Sequence, residues 1–167
     1  MKLKIIIILG AVTIFVTGFT IGSEVSPQMK EEPFIRLNHI AIRVADFDKT
    51  SEFYENTLGF PLAYKFDDEK GNPLFAYYQV NKYTFIELMP MDERHPVGFD
   101  HFALETNHLD SLLTHLDKAD VEVYKPRVSV KTGVHISNVY DVEGNYFELL
   151  EAVKGSELEK VMNSWKK

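Results

Sequence analysis

The alternation of apolar and polar positions divides most of the chain into short strand-like segments. Residues 37–44 (Leu-Asn-His-Ile-Ala-Ile-Arg-Val) have a period of two, which puts His39, Ala41 and Arg43 on one face and Ile40, Ile42 and Val44 on the other. The small and polar face is expected to line a cavity. A helix is expected over 49–58, capped by Asp46 or Asp48, with Phe53, Tyr54 and Leu58 at helical spacing and Gly59 as its stop. Strands over 60–66, 73–80 and 83–89 follow, joined by the charged turn 67–72 and by Asn81-Lys82. The order is β-α-β-β-β.

A polar connector, 90–98, separates this unit from a second one with the same order. Its strand 99–106 carries His101, Ala103 and Glu105 on one face, and its helix opens at Asn107 or His108 with Leu109, Leu112, Leu113 and Leu116 as an apolar stripe. Strand signals at 121–124, 128–130, 134–140 and 146–151 complete the unit, with turns at 131–133 and 141–145. The fold class expected is α+β, two tandem β-α-β-β-β units forming a curved mixed sheet. After Gly155, Leu158, Val161, Met162 and Trp165 recur as a helical stripe expected to pack on the back of a sheet or on a partner subunit.

The N-terminus has a different pattern. Lys2 and Lys4 precede 18 uncharged residues, 5–22, rich in Ile, Val and Phe. That is the pattern of a signal peptide or of a membrane anchor, since the run exceeds the usual signal core of ~7–15 residues and nears the ~17–25 of a spanning helix. Both alternatives place the rest of the protein outside the cytoplasm, with the basic flank inside. The organisation expected is therefore a hydrophobic helix within 1–24, a polar linker 25–34, a folded domain 35–153 and a C-terminal helix 154–167.

Composition narrows the chemistry. A net charge of −7 without a Lys/Arg cluster argues against a nucleic-acid partner and leaves a small molecule as the expected one. With no cysteine, thiolate nucleophiles, disulfides and Cys-ligated metals are excluded. Catalysis must use carboxylates, imidazoles or a metal held by N and O ligands.

Four residues answer to that description. His39 and Glu87 are 48 positions apart, His101 and Glu148 are 47 apart, and the two pairs are offset by 62 (39 to 101). Each sits among apolar neighbours in a strand, so all four are expected on one lining. Burying two carboxylates and two imidazoles together is costly unless a cation compensates them. Two His and two Glu suit a divalent ion such as Zn, Ni, Co, Mn or Fe and leave open positions for substrate or water.

The duplicated unit with this quartet, together with residues 39–44 (His-Ile-Ala-Ile-Arg-Val), Phe53-Tyr54, Leu58-Gly59-Phe60 and residues 141–145 before Phe147-Glu148-Leu149, resembles the vicinal oxygen chelate superfamily, most closely its glyoxalase I branch. The resemblance covers about residues 37–151. It implies two units facing each other around a metal, within one chain or across a homodimer. It also implies a lyase or isomerase that moves a proton on a metal-chelated substrate with two adjacent oxygens, using Glu148 as ligand and base, with Arg43 on a substrate carboxylate. Met91 stands where the branch often carries a glutathione-holding Asn, and a glutathione hemithioacetal is expected in the cytoplasm whereas this chain carries an export or anchor segment, so glutathione is not carried over. Two other readings of the same fold stay open. One is an extradiol-type dioxygenase with His39, His101 and Glu148 on iron and His135 as acid/base. The other is a metal-free drug-binding protein whose groove is lined by Phe75, Tyr77, Tyr78, Tyr83 and Phe85.

Overall fold

The computed structural model describes residues 33–166. Its first half contains β1 (Ile35–Val44), α1 (Phe47–Glu52) running into a π-helical turn (Phe53–Thr57), β2 (Leu62–Asp67), β3 (Pro73–Asn81) and β4 (Thr84–Pro90). The second contains β5 (Gly98–Thr106), α2 (Leu109–Lys118), β6 (Arg127–Val128), β7 (His135–Tyr140) and β8 (Tyr146–Glu151), and α3 (Glu157–Ser164) closes the chain. The hydrophobic segment expected within 1–24 and the linker lie outside the described residues. No helix among the described residues is long and apolar enough to cross a membrane.

The α+β fold with a duplicated unit is as expected. All eight strands form one mixed sheet in the order β2-β3-β4-β1-β5-β8-β7-β6, so the two halves meet within one chain where β1 pairs antiparallel with β5. Within each half the last strand lies parallel to the first, β4 beside β1 and β8 beside β5. This arrangement puts the four strands that carry the quartet side by side at the centre of the sheet.

Strand parity sorts the side chains into two layers. On one face Val44, Ala76, Tyr78 and Leu88 pack with Phe47 of α1, while Val139 and Leu149 pack with Leu109 and Leu113 of α2. On the other face Tyr77, Phe85, Ala103, Ile136 and Leu150 pack with Leu158 and Met162 of α3. The C-terminal stripe therefore covers the quartet's own face of the sheet, not its back. Asp46 caps α1 by accepting from the Lys49 amide at 3.0 Å, and Ser156 caps α3 from the Glu159 amide at 3.2 Å.

Two local expectations are corrected. The strand expected at 121–124 and the signal at 128–130 are parts of one broken edge strand. Tyr124 and Glu122 bond the backbone of β7 at Asn138 and Tyr140, and pairing resumes only at Arg127 and Val128. Pro126 sits in the gap, where it supplies no N–H to a ladder and restricts the residue before it. The turn between β3 and β4 falls at Lys82-Tyr83, one position later than expected, because the Asn81 side chain accepts from the Tyr83 and Thr84 amides at 3.0 and 3.1 Å.

Candidate metal centre

His39 and Glu87 come from β1 and β4, His101 and Glu148 from β5 and β8. Register brings them together. Ala41 of β1 is paired with Glu87 on one side and His101 on the other, and Ala103 of β5 is paired with His39 and Glu148. Both alanines are fully buried, and their small side chains leave the room between the four functional groups.

The four side chains converge. Nε2 of His39 lies 3.3 Å from Nε2 of His101, 3.3 Å from Oε2 of Glu87 and 3.7 Å from Oε2 of Glu148. Nε2 of His101 lies 3.7 Å from Oε2 of Glu87 and 3.5 Å from Oε2 of Glu148. His39, Glu87 and His101 each offer a ligand atom within 4.8 Å of the others. All four residues are buried and line a cavity of about 550 Å³.

The donor set fits a divalent ion. N and O ligands at ~2.1 Å from one ion stand roughly 3.0–3.5 Å apart in octahedral or tetrahedral arrangements, close to the spacing of the His39, Glu87 and His101 donors, while Glu148, 3.5 and 3.7 Å from the two imidazoles, lies outside that three-residue group. The outer ring nitrogens are occupied in the sense a metal site requires. Nδ1 of His39 is 3.0 Å from Oδ1 of Asn38, and Nδ1 of His101 is 2.7 Å from Oδ1 of Asp100, which directs both Nε2 atoms inward.

The protonation balance points the same way. Burial pushes Glu87 up to about 8, reinforced by the neighbouring Glu148 and opposed by His101. Burial would also raise Glu148, but hydrogen bonding and charge from His101, the nearby His39, and the Tyr146 hydroxyl hold it below the usual carboxylate range. Burial drives His39 down to about 3. Burial likewise disfavours charge on His101, yet Glu148 and Asp100 raise it to about 9. Without a cation, therefore, the cluster keeps protons that a 2+ charge would displace.

Other expected residues fall as follows. Arg43 lines the cavity, with Nε 2.6 Å from Asp100 and Nη1 donating to the Pro90 carbonyl at 3.1 Å. His135 is exposed, because Val134 and Ile136 take the cavity side of its strand, so it is not placed to act at the cluster. Of the expected aromatic groove, Phe75 and Tyr77 line the cavity, Tyr78 packs on the opposite face, and Tyr83 stacks on Arg36 outside it. Sequence reasoning passed over Tyr146, whose hydroxyl donates to Oε1 of Glu148 at 2.9 Å, and Tyr64, which stacks on Tyr77. It also passed over Asn38 and Asp100, although the repeat itself marks them as the polar residue preceding each His. His95, read as part of the connector, lines the cavity too.

Comparison with known proteins decides the family. Residues 36–149 match the model of the glyoxalase/bleomycin resistance protein/dioxygenase superfamily. The chain belongs to this superfamily. It is similar to a lactoylglutathione lyase of Arabidopsis thaliana, 29% identical over 124 residues that make up 70% of this chain and 44% of the plant protein. The chain thus spans under half the length of that relative. Among solved structures, a methylmalonyl-CoA epimerase from Mycobacterium tuberculosis is 26% identical with a TM-score of 0.59, covering 70% of this chain and 87% of its own. One from Streptomyces coelicolor, in complex with 2-nitronate-propionyl-CoA, is 23% identical with a TM-score of 0.61, covering 72% and 96%. Within this superfamily fold, the buried His39, Glu87 and His101 form a group that could hold a divalent metal ion.

Proposed function

We propose that the protein is a divalent-metal-dependent lyase or isomerase that moves a proton on a small substrate bearing two adjacent oxygens, with His39, Glu87, His101 and Glu148 as the metal ligands. The observation that carries this reading is the convergence of two imidazole nitrogens and two carboxylate oxygens, from four adjacent strands, into one cavity. When bound, the ion would polarise the substrate oxygens and stabilise the charge that develops on them.

The chain's own groups supply the rest. Glu148, with Oε1 held by Tyr146 and Oε2 facing the two imidazoles, is the carboxylate proposed to take the proton from carbon and return it. Tyr64, Phe75, Tyr77 and Leu158 form an apolar wall that limits water around the reacting carbon. Among the described residues Arg43 contacts Asp100 through Nε and Pro90 through Nη1, and its other amino group is proposed to meet a substrate carboxylate.

Glu87 favours this reading over an extradiol dioxygenase. Its Oε2 lies as close to His39 as the two imidazole nitrogens lie to each other, so it occupies a position that oxygen chemistry needs open. The exposure of His135 removes the acid/base that the dioxygenase reading needs. A drug-binding protein has no use for four converging ligands.

The test is metal analysis of the purified protein, followed by reaction in D2O with α-hydroxy and α-keto thioesters and hemithioacetals. Expected are about one divalent ion per chain and deuterium at the substrate carbon, lost in Glu148→Gln. Oxygen consumption, or full turnover by metal-loaded Glu148→Gln, would overturn the mechanism, and a metal-free protein that still binds small aromatic ligands would favour the binder. The compartment belongs to the same proposal. The basic flank and the uncharged run 5–22 support export or anchoring on the extracytoplasmic face, to be checked with a phosphatase fused at the C-terminus.

A further inference from the structure

Behind the two histidines the chain repeats itself in a crossed fashion. The offset of 62 that relates His39 to His101 also relates Asn38 to Asp100 and Arg43 to Glu105. In the structure, Asn38 donates through Nδ2 to Oε2 of Glu105 at 3.0 Å, while Arg43 donates through Nε to Oδ2 of Asp100 at 2.6 Å. Each half therefore supplies the group that fixes the residue preceding the other half's histidine. The crossing follows from the antiparallel pairing of β1 with β5, which sets Arg36 opposite Glu105 and Arg43 opposite Gly98.

Glu105 is 2% exposed and takes two bonds from Arg36, from Nε at 3.1 Å and Nη2 at 2.7 Å. The Arg36 guanidinium lies 4.4 Å from the Phe34 ring centre and 3.8 Å from that of Tyr83, so the anchor is itself clamped. An ionised carboxylate only accepts hydrogen bonds. Glu105 therefore dictates which end of the fully buried Asn38 amide it meets: Nδ2 turns toward Glu105, and Oδ1 turns toward Nδ1 of His39, 3.0 Å away. The His39 proton must then sit on Nδ1, leaving the Nε2 lone pair facing the cavity. Asp100 accepts from Nδ1 of His101 without an intermediary, so Nδ1 keeps its proton and Nε2 is the nitrogen left for a metal. The Tyr77 hydroxyl lies 3.3 Å from both ring nitrogens of His39 and selects neither tautomer.

We infer that Glu105, held by Arg36, is a positioning residue that sets the His39 tautomer through Asn38, and that Asp100, held by Arg43, does so for His101. Neither carboxylate is a proposed metal ligand. The consequence for metal affinity rests on the proposed metal centre, whereas the tautomer of His39 does not.

Two isosteric variants of the full-length protein test this. In Glu105→Gln the residue can donate as well as accept, so the Asn38 amide is free to reverse. In Asp100→Asn the side-chain oxygen goes to Arg43, and an NH2 group faces Nδ1 of His101. Imidazole ¹⁵N spectra of the metal-free wild type are expected to show His39 protonated on Nδ1, and Glu105→Gln to show a large fraction protonated on Nε2. Zinc affinity, read by competition with a chromophoric chelator, is expected to fall about 10–100-fold in each variant, the usual cost of losing an outer-shell partner. A wild-type His39 protonated on Nε2 would overturn the inference, as would a Glu105→Gln spectrum unchanged from wild type. If Glu105→Gln fails to fold, the wild-type spectrum and Asp100→Asn still decide. Wild-type protein with the expected tautomer but no zinc binding would defeat the metal centre and leave the positioning intact.

Discussion

The phenol of Tyr146 donates to Oε1 of Glu148 at 2.9 Å, and Oε2 of the same carboxylate faces both imidazoles. The two residues share one face of β8, two positions apart, so strand parity alone brings the donor to the base. The hydrogen bond is one of the influences holding Glu148 in its ionised form against burial. Tyr146→Phe is expected to lower kcat by about tenfold, as a hydrogen bond to a charged group is worth ~1.5–3 kcal/mol. Glu148 acts as a base only when deprotonated, and without the phenol its pKa rises. The acid limb of the pH–rate profile should therefore move to higher pH, whereas a merely structural loss would lower the whole profile without moving its limb.

Ala41 and Ala103 are the second device built into the centre. Each is fully buried and flanked in register by one Glu and one His of the quartet. A larger side chain at either position would project into the space where the four donors meet. Ala103→Leu is expected to abolish stoichiometric metal binding, measured by elemental analysis after gel filtration, while overpacking costs the fold only ~1–3 kcal/mol. Retention of a full equivalent of metal would show that the ion sits elsewhere.

The metal-free protein should weaken as pH rises through the neutral range. Glu87 is raised from 4.5 to about 8, so its contribution is fully present below about 4.5 and lost as pH rises through about 8. His101 is raised from 6.5 to about 9, which gives a contribution present below about 6.5 and lost through about 9. His39, lowered to about 3, acts in the opposite sense and destabilises the fold as pH falls below about 6.5. Metal binding requires the first two groups to give up their protons, so affinity climbs over the window in which the metal-free fold weakens. Thermal melts with and without zinc should differ little near pH 6 and by several degrees or more near pH 8.5. A zinc-induced shift that shrinks with rising pH would contradict the assignment.

The quartet is legible because a strand preserves parity, which puts His39 and His101 on the inner face of their strands, and because Glu87 and Glu148 follow them at nearly equal distances of 48 and 47 positions, each in an apolar strand. The second strand of the second unit was less legible, since local propensity at 121–124 does not show that Pro126 will interrupt pairing with β7. The supports behind the histidines are less visible still. Glu105 reads as one more polar residue on an alternating strand, and its role emerges only when antiparallel pairing sets it opposite Arg36 and beside Asn38. Charge alone would assign Arg43 to an anionic ligand; the fold first gives it Asp100.

Adjacent positions on β4 separate function from folding. Glu87 points into the cavity, while Leu88, fully buried, packs with Val44, Phe47, Ala76 and Tyr78 on the opposite face. Leu88→Ala removes buried methyl groups and is expected to destabilise the fold by ~2–5 kcal/mol in urea melts while the folded fraction still binds one metal ion. Glu87→Gln keeps the shape and removes a charge that burial opposes, so the metal-free protein should melt higher than wild type near pH 8.5, with metal affinity reduced at least tenfold. The two effects run in opposite directions, so the pair discriminates. If Glu87→Gln lowered metal-free stability as Leu88→Ala does, the carboxylate would be part of the structural core and its place among the ligands would be lost.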